Sequence, residues 1–291
     1  MLRISNVSKS YKDKAVLKDL NLEIEDGSVF GLIGVNGAGK STLLRCIAGV
    51  LDTDEGHIEL DGSNTFLDTE IKEEIVFVSD DPYFPPTSTI ANLRDFYSAF
   101  YHFDGELYQK YLKMFNLDEN KQISSFSKGM RRQTVLLLGM AIQPKVLLLD
   151  ECFDGLDPLM RLNFKKTLVE LIEDKKITVI ISSHNLKELE DICDSFGILE
   201  NGKVDTYGDL LESKANINKY QVAYEEAKTK EFFKEFDVLN FDDSGRVIKL
   251  VIKGDKEEVM NKLEETKPLL IDVLPVNFEE LFIYEVGTKY E

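Results

Sequence analysis

The sequence predicts an α/β protein built on a mainly parallel sheet with helices on both faces, followed by a smaller α+β region. Three observations carry that prediction. The apolar runs Val29-Phe30-Gly31-Leu32-Ile33, Ile75-Val76-Phe77-Val78, Val146-Leu147-Leu148-Leu149-Asp150 and Thr178-Val179-Ile180-Ile181-Ser182 do not alternate, which is how strands buried on both faces read. Stretches of helical spacing lie between them. Beyond about residue 213 the chain becomes rich in Lys and Glu, with short strand patterns.

In chain order, Leu2-Arg3-Ile4-Ser5-Asn6-Val7 and Leu20-Asn21-Leu22-Glu23-Ile24-Glu25 alternate and predict half-buried antiparallel strands, with a turn near Asp26-Gly27. The buried strand at 29–33 leads through a glycine loop into a helix ending at Gly49. Residues 55–62 predict a strand closed by a turn, with His57 on its exposed face. From Ile90 to Ile142 the spacing is helical. Ile90, Leu93, Phe96, Tyr97 and Phe100 form one apolar stripe and Leu107, Tyr111, Leu112 and Phe115 another, both expected in the core. This block, about 83–143, reads as a helical insertion.

The framework resumes at 146–150 and continues with a helix opened by Pro158. After the strand at 178–182 a helix is expected through Leu186, Leu189 and Ile192, then a hairpin turning at Asn201-Gly202. Strands at 220–224, 238–241, 247–252 and 269–273, with helices near 228–233 and 256–265, give the order βαββαβ of a small ferredoxin-like unit.

A net charge of −18 over 291 residues argues against binding to a nucleic-acid backbone, and no nucleic-acid partner is expected. Cys46, Cys152 and Cys193 are widely spaced and predict reduced thiols, Cys46 and Cys193 in the core. The N-terminal residues lack the apolar region of a signal peptide. No apolar run reaches the roughly 20 residues of a spanning helix.

Gly34-Val35-Asn36-Gly37-Ala38-Gly39-Lys40-Ser41-Thr42 fits the phosphate-binding pattern G-x-x-x-x-G-K-[ST] at every fixed position. Gly34, Gly37 and Gly39 permit a backbone whose N–H groups curl around a phosphate. The following helix N-terminus adds partial positive charge, Lys40 reaches the β- and γ-phosphates, and Ser41 is a Mg²⁺ ligand candidate. Asn36, Ala38 and Thr42 complete the cradle. Asp150 ends a buried strand, where it can hold Mg²⁺ through water, and Glu151 is placed to act as general base on an attacking water.

Ser125-Phe126-Ser127-Lys128-Gly129-Met130-Arg131-Arg132-Gln133 opens a helix upstream of Asp150. With it, the chain resembles the ATP-binding subunit of ABC transporters, whose signature is L-S-G-G-Q or a variant. Ser127 and Gly129 match, whereas Phe126, Lys128 and Met130 depart in a way similar to bacterial exporter-type, ABC-2-like members. The resemblance covers roughly 1–212 and implies a P-loop ATPase domain made of an antiparallel β subdomain, a RecA-like parallel core and the helical insertion. Residues 213–291 are then a C-terminal extension, in which Phe278-Glu279-Glu280-Leu281-Phe282 resembles the final helix of many relatives.

The resemblance also implies roles. Tyr11 is similar to the aromatic that stacks on adenine. Asp80 stands where the family has a Gln linking Mg²⁺ to the helical block, and its shorter side chain is expected to act through a water. Asp157, after Gly155-Leu156, falls in the D-loop that crosses to a second subunit, and His184 resembles the switch histidine at the γ-phosphate. Cys152 replaces a common Pro, and His102 has no implied role. Ser127, Gly129 and Asp157 would complete the ATP site of a partner, so a homodimer or heterodimer is implied. A side chain at Gly129 is expected to intrude on that site.

Without a membrane span of its own, the chain is expected to be cytoplasmic. It would sit on the inner face of the membrane through a separate permease that docks near Tyr83-Phe84-Pro85-Pro86. The alternative reading is a soluble ABC ATPase of translation or DNA repair.

Overall fold

Alternation in the first two runs becomes an antiparallel pair, β1 (Leu2–Tyr11) and β2 (Lys14–Ile24), with Leu2 opposite Ile24 and Ile4 opposite Leu22. The computed structural model describes residues 1–209, 216–276 and 280. The chain divides into two compact units, Met1–Thr206 and Tyr207–Glu291.

In the first unit, β3 (Val29–Ile33) leads to α1 (Lys40–Ile47), and β4 (Glu55–Leu60) and β5 (Ser63–Asn64) complete a four-stranded sheet of order β2-β1-β4-β5. After α2 (Thr69–Glu73) and β6 (Ile75–Val78) come the helices α3 (Ile90–Ser98), α4 (Gly105–Met114) and α5 (Lys128–Ile142). Then follow β7 (Val146–Asp150), α6 (Pro158–Lys175), β8 (Thr178–Ser183), α7 (Leu186–Leu189), β9 (Ser195–Glu200) and β10 (Lys203–Asp209), the last of which runs past the unit's end at Thr206. The central sheet runs β10-β9-β3-β8-β7-β6. β6, β7, β8, β3 and β9 are parallel neighbours, as non-alternating strands require. All five residues of β3 and of β7 are buried. The carboxyl ends of β3, β7 and β8 therefore share one edge, where parallel α/β sheets carry their ligands.

Two expectations need correction. Ile90 is buried, but Phe96 and Phe100 are 57% and 61% exposed, so the α3 stripe is only partly core. The two rings meet at a tilt of 53°, centroids 5.1 Å apart, and Phe96 also meets Tyr97 edge-on. The second stripe packs inward, with Tyr111, Leu112 and Phe115 buried alongside Tyr108. The helix expected through Ile192 stops at Leu189. Asp194 ends it by pairing twice with Val29, donating its N–H to the carbonyl at 2.9 Å and accepting the Val29 N–H on Oδ2 at 2.7 Å. This draws the chain into β9.

In the second unit, β11 (Ile217–Ala223), β12 (Asp237–Ser244), β13 (Val247–Lys253) and β14 (Leu270–Leu274) form an antiparallel sheet of order β12-β13-β11-β14. α8 (Lys256–Glu265) buries Val259 and Leu263 in its core, and a short 3-10 turn, Lys230–Phe233, stands where the first helix is expected. The expected final helix lies outside the described residues except for Glu280.

Candidate functional site

The glycine loop connects β3 to α1. Gly39 caps the helix at φ 114 without a side-chain cap, so the first N–H groups of α1 meet no capping oxygen. A Cβ on Gly39 would come 2.8 Å from Val16 Cγ1, and one on Gly34 would come 2.7 Å from the Leu199 carbonyl. Gly37 lies at φ +83 with open space around it. The loop is thus tight on its protein side and open on the other, the form of a cradle lined by backbone donors.

Lys40 begins α1 and is 6% exposed. Its Nζ donates to the Gly34 carbonyl at 2.7 Å and lies 3.1 Å from Oε1 of Glu151. Glu151 follows β7 in the left-handed region at φ 47, where a non-glycine residue is strained. Its N–H is held by Ser182, with the carbonyl oxygen at 3.2 Å and Oγ at 3.1 Å. The other carboxylate oxygen, Oε2, lies 2.9 Å from His184 Nδ1 and 3.4 Å from the His184 backbone N–H. One carboxylate therefore bridges the phosphate loop and the end of β8.

Asp150, 1% exposed, accepts a 2.6 Å hydrogen bond on Oδ1 from the Ser182 hydroxyl. Ser182 is paired with Asp150 in the β7–β8 register and so supports both acids. Its role is not legible in sequence, because register decides it. Ser41 is half-buried at the second position of α1. The hydroxyl of Ser41 and the carboxylate of Asp150 are hard oxygen donors of the type Mg²⁺ takes, few in number so that phosphate and water supply the rest.

Tyr11 ends β1, 46% exposed, in the hairpin whose Val16 packs on Gly39. Asp80 follows β6, and its Oδ1 accepts from Arg132 Nη2 at 2.5 Å. Arg132, on α5 and 2% exposed, also donates to the carbonyls of Ser79 at 2.8 Å and Asp80 at 2.6 Å. That Arg132 is the partner joining the end of β6 to the helical block is not legible in sequence.

Ser127 caps α5, its Oγ accepting the Met130 N–H at 3.2 Å, and Asp157 caps α6, its Oδ1 accepting the Met160 N–H at 2.9 Å. A Cβ on Gly129 would come 2.8 Å from the Gly155 carbonyl, so the tight contact at this glycine is with its own chain's loop. Among the described residues, no hydrogen bond or ion pair joins Ser127, Gly129 or Asp157 to Lys40, Asp150, Glu151 or His184. His57 and His102 are exposed, and all three cysteines are buried.

A glycine cradle between a buried parallel strand and a helix, with a strand one place beyond β8 in the same sheet ending at Asp150 and followed by Glu151, defines a P-loop NTPase. The ABC transporter family profile matches residues 17–154. The ABC transporter ATP-binding protein YtrB of Bacillus subtilis is 31% identical over 290 residues, 99% of this chain and 99% of that protein. The methionine import ATP-binding protein MetN of Clostridioides difficile is 33% identical over 227 residues, 73% of this chain and 70% of that one. The chain belongs to the ABC transporter ATP-binding protein family, and it is an ATPase.

Among solved structures, an ATP-binding subunit of an ABC transporter superposes with a TM-score of 0.67 at 27% identity, covering 74% of this chain and 92% of that one. A dimeric ATP-binding cassette in a post-hydrolysis state, bound to ADP and Pi, gives 0.65 at 25% identity, covering 72% and 99%.

Proposed function

We propose that this chain is the ATP-hydrolysing subunit that drives a separate membrane permease, working as half of a head-to-tail pair of cassettes. Residues 1–212 form the ATP-binding domain and 213–291 an α+β extension. The observation that carries the reading is Glu151, held in a strained turn with one carboxylate oxygen at Lys40 and the other at His184.

In this reading Gly34, Asn36, Gly37, Ala38, Gly39 and Thr42 cradle the phosphates, and Lys40 neutralises the β- and γ-phosphates. Ser41 and Asp150 hold Mg²⁺, which supplies charge neutralisation on the phosphate oxygens. Glu151 takes the proton of the attacking water, and His184 orients the γ-phosphate and Glu151. Tyr11 stacks on the base. Ser127, Gly129 and Asp157 face the nucleotide of the second cassette, which accounts for their separation from Lys40 within one chain.

Among the described residues no helix is long and apolar enough to cross a membrane, so membrane work calls for another chain. A groove of about 300 Å³ beside Tyr83, Phe84 and Arg131, with Tyr83 85% exposed, suits a docking permease segment. The test is Mg²⁺-dependent ATP hydrolysis by the chain, together with the identity of what co-purifies with it from detergent-solubilised membranes. A membrane permease is expected; ribosomes or DNA-repair proteins would favour the soluble alternative.

A further inference from the structure

Next to the turn that carries His184 lies an ion pair, with Glu188 buried and Arg161 partly exposed, that the phosphate chemistry does not use. Glu188, on α7, has a side chain only 7% exposed, and its Oε1 lies 2.9 Å from Nη1 of Arg161. Its Oε2 accepts a 2.9 Å hydrogen bond from the hydroxyl of Ser183, the residue just before His184. The same hydroxyl accepts the N–H of Asn185, just after His184, at 2.9 Å. A single hydroxyl therefore grips both flanks of His184, and Glu188 holds that hydroxyl in place.

Arg161 sits in the first turn of α6, its N–H donating to the carbonyl of Asp157, the residue that caps this helix, at 2.9 Å. Its Nη2 donates at 3.4 Å to the carbonyl of Phe153, in the loop that leaves Glu151. The guanidinium thus touches the loop that follows Glu151 and, through Glu188 and Ser183, the turn that carries His184.

A buried carboxylate is costly unless it is paired and hydrogen-bonded, and Glu188 meets that need through Arg161, whose side chain is 35% exposed, and through Ser183. Arg161 Nε is moreover buried without a hydrogen-bond partner, a defect that a pair serving packing alone has no reason to keep.

We propose that Arg161 and Glu188 are positioning residues for hydrolysis. They fix His184 against Glu151 and tie that spacing to the loop of Asp157. The inference rests on Glu151 and His184 acting at the γ-phosphate. Neither Arg161 nor Glu188 touches nucleotide or water in this account; they act through the geometry of the pair in front of them.

The experiment is steady-state ATPase kinetics and thermal melting of the full chain, in the assembly that supports turnover. Wild type is compared with Glu188→Gln, Arg161→Lys and the double variant. Glu188→Gln keeps shape and acceptor oxygen, and Arg161→Lys keeps charge but loses the fork. Each single variant is expected to lower kcat by about tenfold or more, since small misplacements of reacting groups cost that much. KM for ATP should stay within about twofold. The double variant should be no slower than the slower single, as for groups acting as one unit.

Wild-type kcat in either folded variant would overturn the proposal. So would a parallel loss of kcat and ATP affinity, or losses that multiply in the double variant. If Glu188→Gln fails to fold, Arg161→Lys decides by the same split between kcat and KM. A wild-type chain without turnover would overturn the ATPase reading as well, which separates the two failures.

Discussion

Lys40 Nζ and Glu151 Oε1 lie 3.1 Å apart, so the phosphate-loop lysine and the acid after β7 contact each other directly. Lys40 also donates to the Gly34 carbonyl, and a phosphate accepting from Lys40 competes with both partners. Lys40→Ala is therefore expected to weaken ATP binding by roughly 10- to 100-fold, the loss of a charge-assisted hydrogen bond worth about 1.5–3 kcal/mol. Isothermal titration of ATP measures it. Wild-type affinity would remove Lys40 from the phosphate site.

Asp80 offers a sharper test, because its carboxylate accepts from Arg132. With Asp80 51% exposed and Arg132 2% exposed, the pair ties the end of β6 to α5. Asp80→Asn should cost only about 1 kcal/mol, as for a pair with one exposed partner. It should leave the Mg²⁺ concentration for half-maximal hydrolysis unchanged. Arg132→Met removes three donations, two of them to the Ser79 and Asp80 carbonyls, and should cost about 1–3 kcal/mol. A Mg²⁺ titration of ATPase activity, corrected for free ATP, checks the first; a shift to higher Mg²⁺ would put Asp80 at the metal.

What the sequence reveals follows from how local each feature is. The phosphate loop is legible because Gly34, Gly37, Gly39, Lys40 and Ser41 act through the backbone of one strand–helix turn. The central strands are legible because burial on both faces removes alternation. Phe96 and Phe100 misled because spacing shows that a helix has an apolar face and not what covers it. Ser182 beneath Asp150, and Arg132 on Asp80, depend on strand register and on the packing of α5 against the end of β6. Residues far apart in sequence meet there, and one chain's pattern carries no sign of it.

Gly129 tests the link between the helix α5 and the loop before α6. The Cβ of Gly129→Ala would lie 2.8 Å from the Gly155 carbonyl, so the loop leading to Asp157 must move. A destabilisation of about 1–3 kcal/mol is expected, typical of overpacking, with slower hydrolysis and ATP affinity close to wild type. Equal loss of affinity and turnover would mean that this loop acts at its own chain's phosphate cradle.

The buried thiols give a prediction about reactivity. Burial pushes Cys46 up to about 11 and raises Cys152 and Cys193 as well. A raised pKa leaves less thiolate near neutral pH, and thiolate is the reactive form. Native protein at pH 7.5 should resist maleimide over a time in which urea-unfolded protein is fully labelled, as read by mass spectrometry. Fast native labelling of Cys152 would mean that the loop after Glu151 opens readily.

The central claim is that Glu151, poised between Lys40 and His184, is the base that activates water. Glu151→Gln keeps the side chain's size and its acceptor oxygen but cannot take a proton at neutral pH. The decisive measurement is single-turnover ATP hydrolysis by this variant, with ATP binding and sedimentation recorded on the same preparation. Hydrolysis slower by about 10²-fold or more, with ATP still bound and the chain held as an ATP-dependent dimer, is the predicted result. Hydrolysis at the wild-type rate would contradict it.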